Sequence, residues 1–224
     1  MSHATLAPEK RSGGLIRDNS LTIALGVAVI VSIALMLLSG WMAFNEELTQ
    51  HGQPAVGLAA YAGSGDFLSA LFENWESEFL QMAVYVCLTA FLFQRGSAES
   101  RDPDEGDPGA SPLVAKARSP LRRAAAWLYS YSLGIALGLL FALSFVGHLL
   151  GSARKTALTA LQHGEPPPTV WEHLGSADFW FESMQNWQSE FLSTAVLVIL
   201  SIWLRYHGSP ESKAVDSPHS ATGR

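Results

Sequence analysis

Four apolar runs alternate with polar stretches along the chain. Two of them, Ser20 to Phe44 and Trp127 to Leu150, are long enough to span a bilayer, because a helix rises about 1.5 Å per residue and needs about 20 residues to cross the hydrocarbon layer. The other two, Phe79 to Phe93 and Phe191 to Leu204, are shorter. They reach spanning length only if each helix begins earlier, in the interfacial layer where tryptophan is favoured. The pattern therefore predicts four membrane-spanning helices.

The chain also repeats itself at one fixed spacing. The segment Asn74 to Leu80 returns almost unchanged as Asn186 to Leu192, and the His-Gly-x-Pro sequence at His51 returns at His163. Both pairs lie 112 residues apart. Two further matches at the same spacing join residues 23–26 with 135–138 and residues 96–100 with 208–212. Identity at one offset over blocks this widely separated predicts an internal duplication of a two-helix unit.

The duplication and the basic residues together predict the topology. Two spans per repeat mean that both repeats enter the bilayer from the same side, so the repeats are parallel. Basic residues flank the cytoplasmic ends of the predicted spans, and only Arg154 and Lys155 lie on the other side. The predicted fold class is an all-α integral membrane protein. Its four transmembrane helices form two tandem helical hairpins, each with an interfacial helical segment before its second span.

These assignments divide the chain into five parts. They are residues 1–18, a cytoplasmic N-terminal tail; 19–95, the first two-helix repeat; 96–125, a disordered cytoplasmic linker; 126–207, the second two-helix repeat; and 208–224, a disordered cytoplasmic tail. The linker and the C-terminal tail are rich in glycine, proline, serine and charge, a composition that buries too little apolar surface to fold.

Composition removes several classes of function. The chain is 48% hydrophobic and 15% charged, which is too apolar for an ordinary soluble domain. Its net charge of -6 makes nucleic acid an unexpected partner. The single cysteine, Cys87, excludes an intrachain disulfide and a cysteine-based metal cage. Because no phosphate loop, nucleophile elbow or paired-histidine motif is present, we expect no enzymatic activity and no cofactor. The expected partner is the lipid bilayer; a homo-oligomer and any protein partner stay open.

The repeated entrance segment supplies the first candidate site. A helical projection places Glu78 on the apolar arc beside Trp75, whereas Glu73 and Glu76 point away from it. In the second copy Glu190 keeps the corresponding place, and glutamine replaces the two outward carboxylates. A carboxylate on an apolar arc at a membrane boundary costs free energy unless it is paired, so such groups are functional candidates. The sequence predicts that Glu78 and Glu190 are functional carboxylates.

A structural interpretation of the same segment stays open. Asn74 and Asn186 could each hydrogen-bond the glutamate four residues later, while Trp75 and Trp187 would lie in the aromatic belt at the membrane interface. The motif would then anchor the entrance of a helix and bind nothing.

Histidines form a second, weaker constellation. His51 and His163, with His173 and the loop carboxylates, are weak candidates for a metal site. Their spacing matches no metal motif, and His-Gly-x-Pro is typical of a turn, so a turn without metal is the favoured interpretation. His148 lies near the outer end of the third predicted span, where the first copy has Met36, and we interpret it as a hydrogen-bonding residue inside the bundle.

The segment Phe179 to Leu192, with the trailing Gly208 to Ser212, resembles an uncharacterised bacterial membrane family, domain of unknown function 6766. The resemblance covers nearly the whole chain from Ser20 to Lys213. It implies a protein of the bacterial cytoplasmic (inner) membrane, whereas the multi-pass topology with both termini in the cytoplasm is predicted from the apolar runs and the basic residues. It implies no activity, substrate or site residue.

Three functions are left open by the sequence. The leading hypothesis is a non-enzymatic structural or interaction protein, such as an envelope-stress component. The alternative is a small oligomeric transporter or channel for cations or protons that uses Glu78 and Glu190. A minor alternative is a metal-binding sensor that uses the His-Gly-x-Pro loops.

Overall fold

The computed structural model describes residues 14–106, 108–109 and 111–223, and every regular element within those ranges is a helix. The first 13 residues of the predicted N-terminal tail, with Lys10 and Arg11, lie outside the described ranges. In chain order the α-helices are Leu15–Asp18 (α1), Ser20–Gln50 (α2), Leu58–Ala62 (α3), Gly65–Phe91 (α4), Pro112–Lys116 (α5), Pro120–Ser130 (α6), Ser132–Gln162 (α7), Val170–Leu174 (α8) and Ala177–Leu200 (α9), with a 3₁₀ helix at Pro103–Glu105.

The helix starts follow the spacing seen in the sequence. Helices α7, α8 and α9 begin 112 residues after α2, α3 and α4, respectively. Both α4 and α9 begin behind a serine N-cap: Ser64 Oγ accepts from the Phe67 N–H at 3.2 Å, and Ser176 Oγ accepts from the Phe179 N–H at 3.3 Å. Such a cap satisfies a backbone donor that has no partner within the helix. The duplication itself stays a prediction, which this common spacing supports.

The His-Gly-x-Pro segments end the two longest helices. Gly52 and Gly164 have φ angles of 69° and 73°, in the left-handed region that favours glycine. The Gln53 N–H donates back to the Leu48 carbonyl at 2.8 Å, as in a Schellman motif, and the second copy repeats this bond. The turn interpretation of these segments is confirmed.

The chain divides into two compact units, Met1–Gly63 and Ser64–Arg224. Within the described part of the first unit, the short helix α3 folds against α2. Trp41 Nε1 donates to the Val56 carbonyl at 2.7 Å and holds the connecting loop on the helix. A Cβ atom at Gly40 would lie 2.2 Å from Tyr61 Oη, so only glycine lets the tyrosine lie directly on α2.

In the second unit α4 packs against both α7 and α9. Helices α4 and α7 approach closely where α7 carries two glycines four residues apart. A Cβ atom at Gly151 would lie 2.5 Å from the Ser69 backbone nitrogen, and one at Gly147 would lie 2.6 Å from the Phe72 ring. Small residues at this spacing allow two helix backbones to come together, as is common in membrane proteins.

Two helices in the described ranges are long and apolar enough to cross a membrane. They are α2 and α7, with mean hydropathies of 2.8 and 2.2 over their most apolar stretches. The first is near the N-terminus, and none of its apolar stretch is buried in the protein. Helices α4 and α9 carry many polar residues in their first halves, and neither is among the helices apolar enough to cross a membrane. The fold is therefore all-helical with two candidate spans, and four spans stay a prediction.

The predicted linker and C-terminal tail contain helical segments and turns. Helix α5 lies within the linker and α6 begins in it, and the Gly223 N–H donates to the Ser97 carbonyl at 2.9 Å. Lys213, only 3% exposed, donates its ammonium group to the carbonyls of Gly96 and Ala221. Serine side chains and one lysine bind the backbone groups of these turns directly, and the disorder of both segments stays a prediction.

Candidate functional site

A cluster of polar side chains lies between four helices of the second unit. We call it the His148 cluster, and its members are Glu73 and Glu76 from α4, His148 and Ser152 from α7, His173 from α8, and Glu182, Asn186 and Trp187 from α9.

His148 lies at the centre of the cluster. Its Nδ1 atom is 2.7 Å from Glu76 Oε2, and its Nε2 atom is 3.5 Å from Glu182 Oε2. The second distance is longer than a hydrogen bond, so that contact is electrostatic. The side chains of His148 and Glu76 are both 0% exposed, whereas that of Glu182 is 31% exposed. A doubly protonated imidazole could donate toward both carboxylates, whereas a neutral ring could donate toward only one.

The buried Glu76 carboxylate has a donor for each of its oxygens. Trp187 Nε1 donates to Oε1 at 2.9 Å, and His148 binds Oε2. The Phe179 ring, which is itself 0% exposed, lies against the imidazole with the ring centres 4.9 Å apart. Burying an ionised carboxylate is costly unless it is paired and hydrogen-bonded, and Glu76 meets both conditions.

A short chain of hydrogen bonds joins Glu182, whose Oε2 atom lies 3.5 Å from His148 Nε2, to α8. Ser152 Oγ donates to Glu182 Oε2 at 2.9 Å, and His173 Nε2 lies 2.8 Å from the same Oγ. Because the serine proton is directed to Glu182, its oxygen accepts from an Nε2–H on His173. Burial lowers the pKa of His173, which favours the neutral ring with its proton on Nε2.

The two carboxyl groups at the edge of the cluster, Glu73 and Glu182, have pKa values shifted in opposite directions. Burial raises the pKa of Glu73, whose Oε1 accepts a hydrogen bond from Asn186 Nδ2. Contact with His148, aided by the bond from Ser152, holds the pKa of Glu182 below its ordinary value. Two carboxyl groups whose surroundings move their pKa values apart are typical of sites that exchange protons.

The helical projection was wrong about which carboxylate of the entrance segment is buried. Glu76, expected to point away, is fully buried, whereas Glu78 is exposed and Glu190 is partly exposed. The projection assumed that the apolar side of α4 faces the protein. The buried positions of α4 are instead mostly small or polar: Gly65, Phe67, Ser69, Glu76, Ser77 and Gln81. Glu78 is close enough to Glu190 for the two carboxylates to repel each other, and their functional role stays a prediction.

The four residues predicted to support the glutamates lie in different environments: two belong to the His148 cluster and two lie outside it. Asn186 and Trp187 belong to the His148 cluster and bind Glu73 and Glu76, respectively. Asn74 is exposed, and its Nδ2 atom donates to the Ala70 carbonyl at 2.7 Å. Trp75 is 37% exposed and packs edge-on against Phe72. The expected bond from Asn74 to Glu78 is thus replaced by a bond to the helix backbone.

The weak metal candidates do not come together with other ligands. His51 and His163 are both exposed, and they belong to different units. Within the ranges that the structure describes, no group of three or more histidine, cysteine, aspartate or glutamate side chains is placed to hold a metal ion. The interpretation of His148 as a buried hydrogen-bonding residue is confirmed.

Sequence reasoning missed most members of the His148 cluster, although a signal was present. Several members differ from their counterparts 112 residues away, whose positions carry other chemistry. The pairs are Glu76 with Gln188, His148 with Met36, Ser152 with Gly40, His173 with Tyr61, and Glu182 with Ala70. In four of these pairs only the second or only the first copy has an acidic, imidazole or hydroxyl group, and in the fifth an imidazole replaces a phenol; together these positions mark the cluster.

An all-helical arrangement, two helices able to cross a membrane and a buried polar cluster between helices define a helical protein with membrane character. The chain belongs to the family described as Domain of unknown function (DUF6766), whose model matches residues 12–224. No curated protein and no solved structure matches the chain significantly.

Proposed function

We propose that this is a non-enzymatic membrane protein that responds to pH through the His148 cluster. The observation that carries the proposal is the fully buried Glu76–His148 pair, with Glu182 at the other ring nitrogen. Its histidine lies on α7, a helix apolar enough to cross a membrane. Ionisable groups inside such helices are rare because they are costly, and they commonly mark proton or ion sites. Gain or loss of a proton here changes the contacts that join α4, α7 and α9.

The hydrogen-bond chain supports proton binding more than proton conduction. A conducting chain must pass a proton onward at both ends. The His148 cluster ends at Trp187, whose indole N–H donates to Glu76 but has no acceptor atom. A proton that reaches Glu182 past His173 and Ser152 must still cross the 3.5 Å gap to His148, and it goes no further than the Glu76–His148 pair.

The charges around His148 make this pair sensitive to a single proton. The titratable groups that face it or its direct neighbours are Glu73, Glu76, Lys155, His173, Asp178 and Glu182. Carboxylates outnumber the cations in this set, and Glu76 and His148 themselves are fully buried. Charges interact more strongly at low dielectric, so protonation of one member alters the charge state favoured by the others.

We further propose a bacterial cytoplasmic (inner) membrane location, with four spans in two tandem parallel hairpins and both termini in the cytoplasm. The distribution of basic residues and the common spacing of the helix starts support this arrangement. Helix α8 and the first turns of α4 and α9 would then lie on the outer side, so the cluster would respond to external pH.

The test is the pH dependence of tryptophan fluorescence in the purified protein, since Trp187 contacts Glu76 directly. We expect a reversible transition between about pH 4 and 9, where carboxyl and imidazole groups titrate. His148→Met, which installs the residue of the first copy, should remove it, whereas Glu78→Gln, which changes an exposed carboxylate, should keep it. An identical transition in His148→Met would contradict the proposal.

Transport of cations or protons is the second candidate, and the mutual repulsion of Glu78 and Glu190 favours it. Two carboxylates that repel each other can be relieved by a bound cation or proton. In proteoliposomes, the double variant Glu78→Gln, Glu190→Gln should then lose a cation- or proton-dependent flux that the parent shows. Equal flux in parent and variant, or none in the parent, would remove this candidate.

A further inference from the structure

A groove separate from the centre of the His148 cluster runs between the second halves of α4 and α9. It has a volume of 370 Å³. Most of its walls are aliphatic or aromatic, and they include Val84, Leu88, Phe191, Ala195, Val198 and Ile199. Sites for small molecules usually measure about 300–1,000 Å³ and are mainly apolar with a few fixed polar groups. The groove has the size and wall chemistry of such a site.

One end of the groove carries a carboxylate. Glu99 lines the groove beside Tyr85, and Tyr85 Oη donates to Glu99 Oε2 at 2.7 Å. Among the described residues that line the groove, Glu99 is the only acidic one, and none is an arginine or lysine. The groove therefore combines an apolar body with a negative end.

The turn that holds Glu99 is fixed to the end of α9. The Glu99 N–H donates to Ser97 Oγ at 3.1 Å, and Ser97 Oγ lies 2.8 Å from Ser201 Oγ, the residue that follows α9. Gly96, with a φ angle of 86°, allows the chain to turn there. The carboxylate is thus held relative to both walls before any ligand binds, which reduces the entropic cost of binding.

The second copy makes the same turn without the same site. The Glu211 N–H donates to Ser209 Oγ at 3.1 Å, and Gly208 has a φ angle of 83°. Leu197 stands at the position of Tyr85, however, and Glu211 is not among the groove residues. Because the turn forms in both copies, turn formation alone does not explain the placement of a carboxylate in the groove.

We propose that this groove binds an amphipathic organic cation, with its apolar body between α4 and α9 and its positive charge against Glu99. A cation at this end would form a charge-assisted contact with a carboxylate that Tyr85 already orients. Apolar rings or chains of the ligand would cover the aliphatic walls. The proposal rests on the groove alone and is independent of proton binding by the His148 cluster.

The test is equilibrium binding of radiolabelled tetraphenylphosphonium to the purified full chain in a neutral detergent. We expect saturable binding to the parent protein and an affinity at least about tenfold lower for Glu99→Gln, because a charged contact is lost. Glu211→Gln is the matched control, since it makes the same change in the same turn outside the groove, and it should bind as the parent does. The neutral analogue triphenylphosphine oxide should compete poorly.

A second variant separates loss of charge from loss of fold. Ala195→Leu narrows the groove without changing any charge, and it should weaken tetraphenylphosphonium binding while the Tyr85–Glu99 pair stays in place. Absence of saturable binding to the parent would overturn the proposal. So would equal binding by Glu99→Gln and Glu211→Gln, or equal competition by the neutral analogue, since the groove would then accommodate only lipid chains.

Discussion

Two helix pairs of this chain hold a short helix against a long one by different chemistry. In α2 and α3, Tyr61 lies over Gly40, where any side chain larger than hydrogen would collide with it. In α7 and α8, at positions 112 residues later, His173 instead donates to Ser152. The helix starts have the same spacing in both, whereas the contacts are steric in one and polar in the other.

The difference extends to the helices that follow. The second pair joins its serine to Glu182 and places His148 beside Glu76. The corresponding positions of the first pair carry Gly40 and Met36, which offer no titratable group. Helical architecture thus depends on features present in both pairs, namely serine caps and glycine turns. The candidate chemistry depends on residues that only one of them has.

The largest expected effect comes from removing the buried carboxylate. Glu76→Ala leaves His148 without its partner in a water-poor site, and breaking a buried pair in this way typically costs about 3–5 kcal/mol. Gln188→Ala, the same change at the exposed counterpart, should stay within about 0.5 kcal/mol. Equilibrium unfolding in detergent micelles measures both. Similar losses of stability in the two variants would contradict the difference described between the two positions.

The next effect concerns the close approach of α4 and α7. Gly151→Ala places a methyl group against the Ser69 backbone and should destabilise the protein by about 1–3 kcal/mol, as overpacking does. Gly26→Ala, on α2, meets no atom within 4 Å and should stabilise that helix by about 0.5–1 kcal/mol. Thermal unfolding of the two variants checks the opposite signs. A stabilising Gly151→Ala would contradict the described packing.

A smaller effect should appear as a pH dependence of stability. Burial lowers the pKa of His173 from its ordinary value of 6.5, so the unfolded chain binds more protons than the folded one as pH falls from that value to the lowered pKa of the folded state. The contribution of His173 therefore decreases stability as pH falls through this range. The double variant Ser152→Gly, His173→Tyr, which installs the residues of the first copy, should lose this component in melting curves recorded across pH. Retention of the full pH dependence would contradict the role given to His173.

The smallest effect is expected at the exposed entrance carboxylate. Glu78→Gln removes no buried contact and relieves repulsion with Glu190, so it should change stability by less than about 0.5 kcal/mol. Unfolding curves recorded beside Glu76→Gln sharpen the contrast between the two neighbouring carboxylates. A larger loss of stability in Glu78→Gln than in Glu76→Gln would indicate that Glu78, and not Glu76, makes the buried contacts.

Local features of the fold were predictable because they depend on nearby residues. The His-Gly-x-Pro turns require only a helix end and a glycine that accepts positive φ, and both are visible in the sequence at Gly52 and Gly164. The interior position of His148 was predicted from an imidazole near the outer end of an apolar run, where the first copy has Met36. Such signals act within a few residues of the chain.

The pairing of side chains was not predictable in the same way. Glu76 and His148 are 72 residues apart in sequence, and Trp187 is 111 residues from Glu76. Their contact depends on how α4, α7 and α9 pack, which the local pattern does not determine. The projection also took the apolar arc of α4 as its inner side, although Glu76 and Ser77 lie on the packed face. In the proposed four-span arrangement the outer side of α4 would face lipid, and apolarity would then not mark the inner side of the helix.

The central claim is that the buried Glu76–His148 pair exchanges a proton, and nitrogen NMR of histidine-labelled protein tests it most directly. The ring nitrogens of His148 should titrate together with the fluorescence transition. Glu76→Gln should move that midpoint, whereas Glu78→Gln should leave it unchanged. A His148 ring that keeps one protonation state between about pH 4 and 9, or a midpoint unmoved by Glu76→Gln, would contradict the account.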